Sequence, residues 1–214
     1  GPSIGVTGPE GDIDSGTEVT GNWTHGFGAD VPETQAVTIN GETLTLSEGG
    51  SVEVAGEYGK LTVNADGTYS YEANPNSEGE DTFTFSITDA DGDPKSANLT
   101  VKVVDSTVKP GDATFATADA DVASGAAMSE FAIPAGVTLT QAAVDAVNAD
   151  ISYGQFSLSS DGKSLIFTQT AAYTHAEGAD SKTFDTVSFA VTDANGNATT
   201  LDATVTIMDD GPSI

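Results

Sequence analysis

The amino-acid sequence predicts an all-β protein made of two similar β-sandwich domains in tandem. The first observation is an internal repeat, because residues 81–93 (DTFTFSITDADGD) recur as residues 185–197 (DTVSFAVTDANGN). The second is a strand pattern in which Thr, Val, Phe and Tyr alternate with polar residues, and Gly, Asn and Asp separate the runs. The third is length, since 214 residues hold two such units, each large enough for its own core.

The repeat also indicates where the modules begin and end. Weaker copies pair residues 58–67 with 153–162, and residues 10–16 with 119–125. Near residues 105–112 the chain contains Pro110, which cannot donate to a strand ladder, and Gly111, which permits a bend. We therefore predict one module over 1–107 and a second, diverged module over 108–214. The opening sequence GPSI recurs at the end of the chain, so we expect a longer array with neighbouring repeats as partners.

In the first module, three pairs of strands are predicted to form hairpins. Strands 36–39 and 43–46 flank Asn40-Gly41, a pair that suits the positive φ angles of a two-residue turn. Strands 61–63 and 69–71 flank a turn at Asp66-Gly67, and strand 82–88 pairs with strand 97–104. The alternating apolar residues of the last pair are expected in the core: Phe83, Phe85, Ile87, Leu99, Val101 and Val103.

The second module is predicted to repeat this closing pair as strands 186–192 and 202–207, and to have a plain turn at Asp161-Gly162. Its buried face should carry Phe189, Val191, Val205 and Ile207. One short helix is expected over residues 141–147, with Thr140 as its cap. About seven strands per hundred residues, with turn signals every 8–12 residues, are typical of an aligned β-sandwich of immunoglobulin-like type.

Composition restricts the possible partners. The chain has 33 acidic residues against six lysines and no arginine, which gives a formal charge of −27. Nucleic acids and anionic membrane surfaces are excluded as partners, because phosphate groups require clustered Lys and Arg. So large an excess of like charge opposes compaction unless cations offset it. With no cysteine and no run of 18 apolar residues, disulfides, thiolate metal sites and a membrane-spanning helix are not expected.

The hairpin turn that closes each module contains the first candidate metal ligands. In the first module they are Asp89, Asp91 and Asp93, and in the second Asp193 keeps the first position. Oxygen ligands at alternate positions of a tight loop suit Ca²⁺. The pattern is not an EF-hand, because the glycine comes two places early and Thr100 occupies the position of the bidentate glutamate. Asp and Gly also favour turns without any metal, so a calcium site and a plain turn both stay open.

Further acids lie where one module ends and the next begins. Those that follow the last strand of a module are Asp105, Asp209 and Asp210. Those near the first strand of a module are Glu10, Asp12, Asp14, Asp112, Asp119 and Asp121. Carboxylates that converge around a short linker repel one another unless a cation lies among them. The pattern predicts calcium at the junction, and the alternative is a solvated acidic surface.

Other chemistry has less support. His25 and His175 are the two histidines, and a Ser, His and Asp scattered among Thr-rich strands is expected by chance, so we predict no enzymatic activity. Trp23 lies in the glycine-flanked segment 21–28. It either packs in the core or stacks on a sugar ring.

Residues 58–71 (YGKLTVNADGTYSY), followed by residues 81–93 and a closing Val-Asp, resemble the bacterial cadherin-like and immunoglobulin-like repeats of giant RTX adhesins exported by type I secretion. The resemblance covers residues 30–105, more weakly 150–210, and includes the junction-like sequence DDGP that begins at Asp209. It implies an extracellular extender module on the bacterial cell surface, stiffened by Ca²⁺, which carries a ligand-binding tip in adhesion and biofilm formation. In the second module Asn195 and Asn197 replace two acids, which puts its hairpin metal site in doubt.

Two functions of different class follow. A tandem spacer would bind calcium and form a rod with its neighbours. A ligand-binding module of the same kind of adhesin would instead engage a glycan or protein through an irregular loop around Trp23 or over residues 171–182. Recurrence of the end sequence favours the spacer, because ligand modules tend to be unique.

Overall fold

The structure is a computed structural model that describes residues 1–211. It confirms the all-β class, since the described residues form eighteen strands, one α-helix and two short 3₁₀ turns. The chain divides into two compact units, one of Gly1–Ser106 with Asn195–Asn197, the other of Thr107–Ala194 with the described residues from Ala198 onward. The predicted boundary after residue 107 lies one residue from this division. Residues 212–214, part of the recurring end sequence, lie outside the described residues.

The first unit is a sandwich of two five-stranded sheets. One sheet contains, in spatial order, β1 (Ser3–Val6), β3 (Glu18–Gly26), β8 (Thr68–Ala73), β7 (Gly59–Asn64) and β6 (Ser51–Ala55). The other contains β2 (Ile13–Asp14), β10 (Pro94–Val104), β9 (Gly79–Thr88), β4 (Ala36–Ile39) and β5 (Glu42–Thr45). Neighbouring strands are antiparallel except for β2 and β10, which run parallel. A 3₁₀ turn, Leu46–Glu48, follows β5.

All three predicted hairpins of the first unit are confirmed. Asn40 and Gly41 have φ angles of 49° and 92°, the left-handed values that a two-residue hairpin turn requires. The alternation in β9 and β10 buries the six predicted core residues, whose side chains are at most 2% exposed. Together with residues of the other sheet, they form one hydrophobic core.

The second unit has a larger and a smaller sheet. The larger contains β11 (Ala113–Ala118), β18 (Ala198–Met208), β17 (Val187–Thr192) and β13 (Thr138–Leu139), with β16 (Ser181–Thr183) also paired to β18. The smaller contains β12 (Met128–Ala132), β15 (Ser164–Thr168) and β14 (Gln155–Leu158). β11 runs parallel to β18, and a 3₁₀ turn, Asp119–Asp121, follows it. The four predicted core residues are buried in this unit's own core.

The predicted helix is present as α1 (Gln141–Asp150), three residues longer than expected. The Oγ1 of Thr140 accepts a hydrogen bond from the Ala143 N–H at 3.3 Å, as an N-cap should. Val144 and Val147 are its buried residues. Asn148, in the extra turn, hydrogen-bonds both the N–H and the carbonyl of Phe156, which fastens the end of the helix to β14. No described helix has the length and apolar character needed to cross a membrane.

Trp23 belongs to the core. It lies in strand β3 with 3% of its surface exposed, and its Nε1 donates to the Asn64 carbonyl at 3.0 Å. Its ring packs against Phe85, with 5.9 Å between centroids. Of the two alternatives for Trp23, the structure shows the core position, because the alternation of β3 turns this side chain inward and the segment is a strand, not an irregular loop.

Candidate functional site

The closing hairpin of the first unit holds one buried acid and two exposed ones. Asp89 is 4% exposed, and its Oδ1 accepts a hydrogen bond from the Asp93 N–H at 2.9 Å. Its Oδ2 is also buried but has no hydrogen-bond partner among the described residues. Asp91 and Asp93 are exposed, and the three carboxylates do not form a compact cluster of ligand atoms in the described residues. Asp89 thus closes the turn with one oxygen and keeps the other available for a cation.

The remaining predicted ligands of the first unit are exposed. Glu10 and Asp12 lie between β1 and β2, and Asp12 is 3.9 Å from the Lys102 Nζ. Asp105 follows β10, where its Oδ1 accepts from the Ser15 Oγ at 3.5 Å. Ser15 and Asp105 are neighbours because β2 and β10 are parallel, with Asp14 opposite Val104, so the residues after both strands lie at one edge of the sheet.

In the second unit, the predicted ligands divide into two groups. Asp193 is buried, and its Oδ2 accepts from the Val108 N–H at 3.0 Å. Asp112, Asp121 and Asp210 are exposed. The Asp210 Oδ1 accepts a hydrogen bond from the Ala120 N–H. Asp119 and Asp209 belong to the one group of three or more potential ligands found in the described residues, and its third member is His175.

The parallel pairing of β11 and β18 brings Asp119 and Asp209 together. Ala118 lies opposite Met208, so the next residue on each strand is an aspartate at the same edge of the sheet. The third member, His175, comes from the segment between β15 and β16. One ligand atom from each of the three side chains lies within 4.8 Å of the other two.

Asp119 is held by residues of this long segment. Its Oδ1 accepts hydrogen bonds from the Gln169 Nε2 and, at 2.8 Å, from the Tyr173 N–H. Its Oδ2 lies 3.1 Å from the His175 Nε2, and the side chains of His175 and Asp119 are 4% and 8% exposed. Gln169 is itself fixed by the Thr117 hydroxyl, which donates to its Oε1 at 2.8 Å. The carboxylate is therefore oriented with only Oδ2 facing the histidine.

No pattern in the sequence connects His175 or Gln169 with these acids. Asp119 and His175 are 56 positions apart, and the repeat is weakest over the segment that carries the histidine. The one available signal was the segment's length, since it is longer than its counterpart in the first module. A ligand-binding loop over residues 171–182 is one alternative that the sequence leaves open, and in the structure Tyr173 and His175 of that stretch, with Gln169 just before it, contact Asp119.

Comparison with protein families gives a match within the first unit. Residues 6–105 match the family described as the bacterial cadherin-like domain, which accounts for 100 of the 214 residues. The match agrees with the fold class and with the bacterial cadherin-like part of the resemblance seen in the sequence. No curated protein matches the chain.

Several solved structures are similar to the whole chain at low identity. They include cadherin-like domains 1 to 4 of zebrafish RET (10% identity, TM-score 0.38, 98% of this chain and 51% of that chain). A Ca²⁺-stabilised adhesin with which an Antarctic bacterium binds ice is similar too, at 17% identity and a TM-score of 0.38, over 99% of this chain and 50% of that chain. Fibronectin(III)-like modules of Clostridium thermocellum CbhA are similar at 11% identity and a TM-score of 0.30, over 99% of this chain and 97% of that chain. This chain spans about half the length of the first two, and β-sandwiches of this kind serve many functions.

Proposed function

We propose that this chain is a calcium-stabilised tandem module of an extracellular bacterial adhesin. The observation that carries the proposal is the match of residues 6–105 to the bacterial cadherin-like domain. The charge of −27 supports it, because a chain with so few cations of its own needs external ones. The adhesin that is similar to the chain is described as Ca²⁺-stabilised, and we extend that property to this protein.

Asp89 is the residue at which we expect calcium to act in the first unit. A buried carboxylate oxygen without a partner is costly, and a cation removes that cost. Asp91 and Asp93 lie in the same turn and can supply further oxygens together with water. Asp105, Glu10, Asp12, Asp112, Asp121, Asp193 and Asp210 stay predicted calcium ligands, as the sequence pattern suggests.

Thermal unfolding with calcium and with a chelator tests the proposal. A site with a dissociation constant of about 10⁻⁴–10⁻³ M is typical of extracellular modules. About 100-fold excess calcium then adds about 2.7 kcal/mol to the free energy of unfolding, and chelator removes it. We expect a clear rise in melting temperature with calcium. Superimposable melting curves in both buffers would refute the proposal.

Substitutions in the closing hairpins of the two units test whether their carboxylates are the source of the calcium-dependent stability. Asp89→Asn combined with Asp93→Asn should abolish the calcium-dependent part of the first unit's stability, because each amide removes a charge. Asn195→Asp, in the corresponding hairpin, should change the calcium response much less or strengthen a weak site. If both variants lose the same calcium-dependent stability, the hairpin assignment fails.

We further propose a spacer role in a large adhesin exported by type I secretion, with calcium stiffening the link between modules. Small-angle scattering of the full chain with calcium and with chelator tests the stiffening. We expect a broader distribution of conformations in chelator, because uncompensated carboxylates repel and Pro110-Gly111 offers little apolar surface. An unchanged distance distribution would rule out stiffening even if calcium binds.

A further inference from the structure

We infer that Asp119, His175 and Asp209 form a site for a divalent transition metal of the zinc class. The inference concerns the second unit alone and does not rest on the proposed calcium function. Asp119 and Asp209 are predicted from the sequence as calcium ligands and no role is predicted for His175, so the proposed site differs in both metal and ligands.

The first observation is the geometry of the three side chains. Their ligand atoms lie within 4.8 Å of one another, and the Asp119 Oδ2 and His175 Nε2 are 3.1 Å apart. Two ligands at about 2.0–2.1 Å from a tetrahedral Zn²⁺ lie about 3.3 Å apart. A small adjustment of the side chains therefore admits an ion of this size. Asp209 is anchored by its N–H, which donates to the Asp180 carbonyl at 2.9 Å.

The second observation is the histidine itself. Its side chain is 4% exposed, its Nε2 is directed at Asp119, and its Nδ1 is buried without a hydrogen-bond partner among the described residues. A neutral imidazole has one N–H donor and one lone pair, whereas an imidazolium has two donors. In the tautomer with its proton on Nδ1, the Nε2 lone pair points toward the Asp119 carboxylate, and Asp209 lies at the same edge of the sheet. An imidazole lone pair directed at carboxylates is what an imidazole-binding metal requires.

The third observation is that the surroundings orient Asp119 as metal sites do. Hydrogen bonds from Gln169 and Tyr173 occupy its Oδ1, so only Oδ2 is free toward His175. Such outer contacts fix a ligating group and are a regular feature of metal centres. Without a bound cation, the carboxylates of Asp119 and Asp209 would face each other as like charges at the same edge of the sheet.

The donor set distinguishes this site from a calcium site. Ca²⁺ takes six to eight oxygens, whereas one imidazole with two carboxylates, completed by water, suits Zn²⁺ and its neighbours. The equivalent edge of the first unit has Ser15 beside Asp105, a pair that lacks the imidazole. A bound metal would join the segment between β15 and β16 to the ends of β11 and β18, and so stabilise the second unit.

The test uses the full chain without a histidine tag, titrated with Zn²⁺ by calorimetry and with Co²⁺ by visible absorption. Because the protein has no cysteine, the Co²⁺ bands carry no thiolate contribution, and the two histidine variants show whether an imidazole is among the ligands. We expect one equivalent to bind and millimolar Ca²⁺ not to displace it. His175→Gln should lower the affinity more than about 100-fold, beyond the 10–100-fold typical of an outer contact. His25→Gln, at the other, exposed histidine, should leave it unchanged.

Asp209→Asn keeps the test decisive if His175→Gln fails to fold. Asp209 is exposed, and its substitution leaves the Asp119–His175 contact in place. We expect at least a tenfold loss of Zn²⁺ affinity with an unchanged melting temperature in chelator. The inference is overturned if the wild-type chain binds no stoichiometric Zn²⁺. It is equally overturned if Asp209→Asn binds like wild type, or if Ca²⁺ competes at similar concentrations.

Discussion

Asp81 shows how a single acidic residue can be structural in a chain this acidic. It is 5% exposed in β9, and its two oxygens accept three hydrogen bonds. The Glu57 N–H donates to Oδ1 at 2.8 Å, while the Tyr58 N–H and the Tyr71 hydroxyl donate to Oδ2 at 3.1 and 2.6 Å. The carboxylate therefore joins the turn before β7 to the core, and both of its oxygens are engaged in hydrogen bonds.

Asp81→Asn should destabilise the first unit by about 2–3 kcal/mol, because one oxygen becomes an amide that faces N–H or O–H donors. Chemical denaturation measures the change. Asp66→Asn is the matched control, since Asp66 is exposed and its Oδ1, which accepts from the Thr68 N–H at 3.0 Å, is retained in Asn. We expect less than about 0.5 kcal/mol for the control. Similar losses for both would show that the Asp81 contacts contribute little.

Tyr71 gives the protein a predictable response to alkali. Burial, and then the hydrogen bond to Asp81, raise the pKa of the Tyr71 hydroxyl above its usual value of 10.0. The unfolded chain releases this proton near pH 10 while the folded chain keeps it, so the stabilisation is complete below pH 10 and declines as pH rises above it. Burial also raises the pKa of Tyr69 and Tyr153.

We therefore expect the free energy of unfolding to fall above about pH 10, by up to about 1.4 kcal/mol per pH unit for each such tyrosine. Denaturation curves between pH 8 and 11.5, or thereabouts, measure the slope. Tyr71→Phe should have a shallower slope for the first unit, although lower stability at neutral pH. An equal slope in wild type and Tyr71→Phe would contradict this assignment.

At this scale the sequence predicted core residues well and contacts between distant polar residues poorly. Alternation placed Phe83, Phe85 and Ile87 correctly, because burial follows from strand periodicity alone. The Asp119–His175 contact depends on where a long irregular segment returns to the sheet, and no local pattern encodes that.

At the scale of elements, the repeated Tyr-Gly pair has a packing explanation. A Cβ at Gly59 would lie 2.4 Å from the Tyr71 Cζ and 2.5 Å from the Glu72 carbonyl oxygen. A Cβ at Gly154 would lie 2.3 Å from the Phe167 Cζ. In both modules an aromatic ring of the neighbouring strand covers the glycine, so the repeat preserves a close contact between ring and backbone.

Gly59→Ala and Gly154→Ala should each destabilise the unit that carries the substitution, by about 1–3 kcal/mol, because ring and backbone must shift to admit a methyl group. Gly111→Ala is the control, since its Cβ would meet nothing within 4 Å. Calorimetric unfolding of the three variants measures the losses. A loss for Gly111→Ala equal to the others would mean that alanine itself, and not the ring contact, is responsible.

The hairpins and the helix could be predicted because their signals are local: Asn40-Gly41 for a tight turn and Thr140 for an N-cap. The parallel pairings of β2 with β10 and of β11 with β18 could not. They join strands from opposite ends of a module, and a two-residue strand such as β2 has no periodicity to detect. Without these pairings the sequence could not show that Asp119 and Asp209 share an edge.

For the whole molecule, charge is the dominant physical property. A formal charge of −27 is distributed over a chain whose described ion pairs involve few lysines, such as Lys60–Glu53 at 2.9 Å and Lys109–Asp202 at 2.6 Å. Lys109 and Asp202 stabilise each other's charged forms, since the pKa of the lysine is raised and that of the aspartate lowered. Most acids have no such partner of opposite charge, so self-repulsion must be relieved by the solvent's cations.

Cations of the solvent can reduce the repulsion between the acids in two ways, by general screening or by binding at sites, and the two respond differently to added NaCl. Screening acts on all exposed acids and depends on ionic strength, with a Debye length of about 10 Å at 0.1 M. Site binding depends on the free calcium concentration and on particular carboxylates such as Asp89.

In chelator, we expect the melting temperature to rise gradually as NaCl increases from about 0.02 to 0.3 M. Calcium at a few millimolar should add a larger rise than NaCl of equal ionic strength. Asp89→Asn with Asp93→Asn should keep the NaCl response of the first unit and lose its calcium response, because these two substitutions hardly alter the total charge. If NaCl matched for ionic strength reproduces the effect of calcium, the acids act only as a screened surface and the calcium proposal fails.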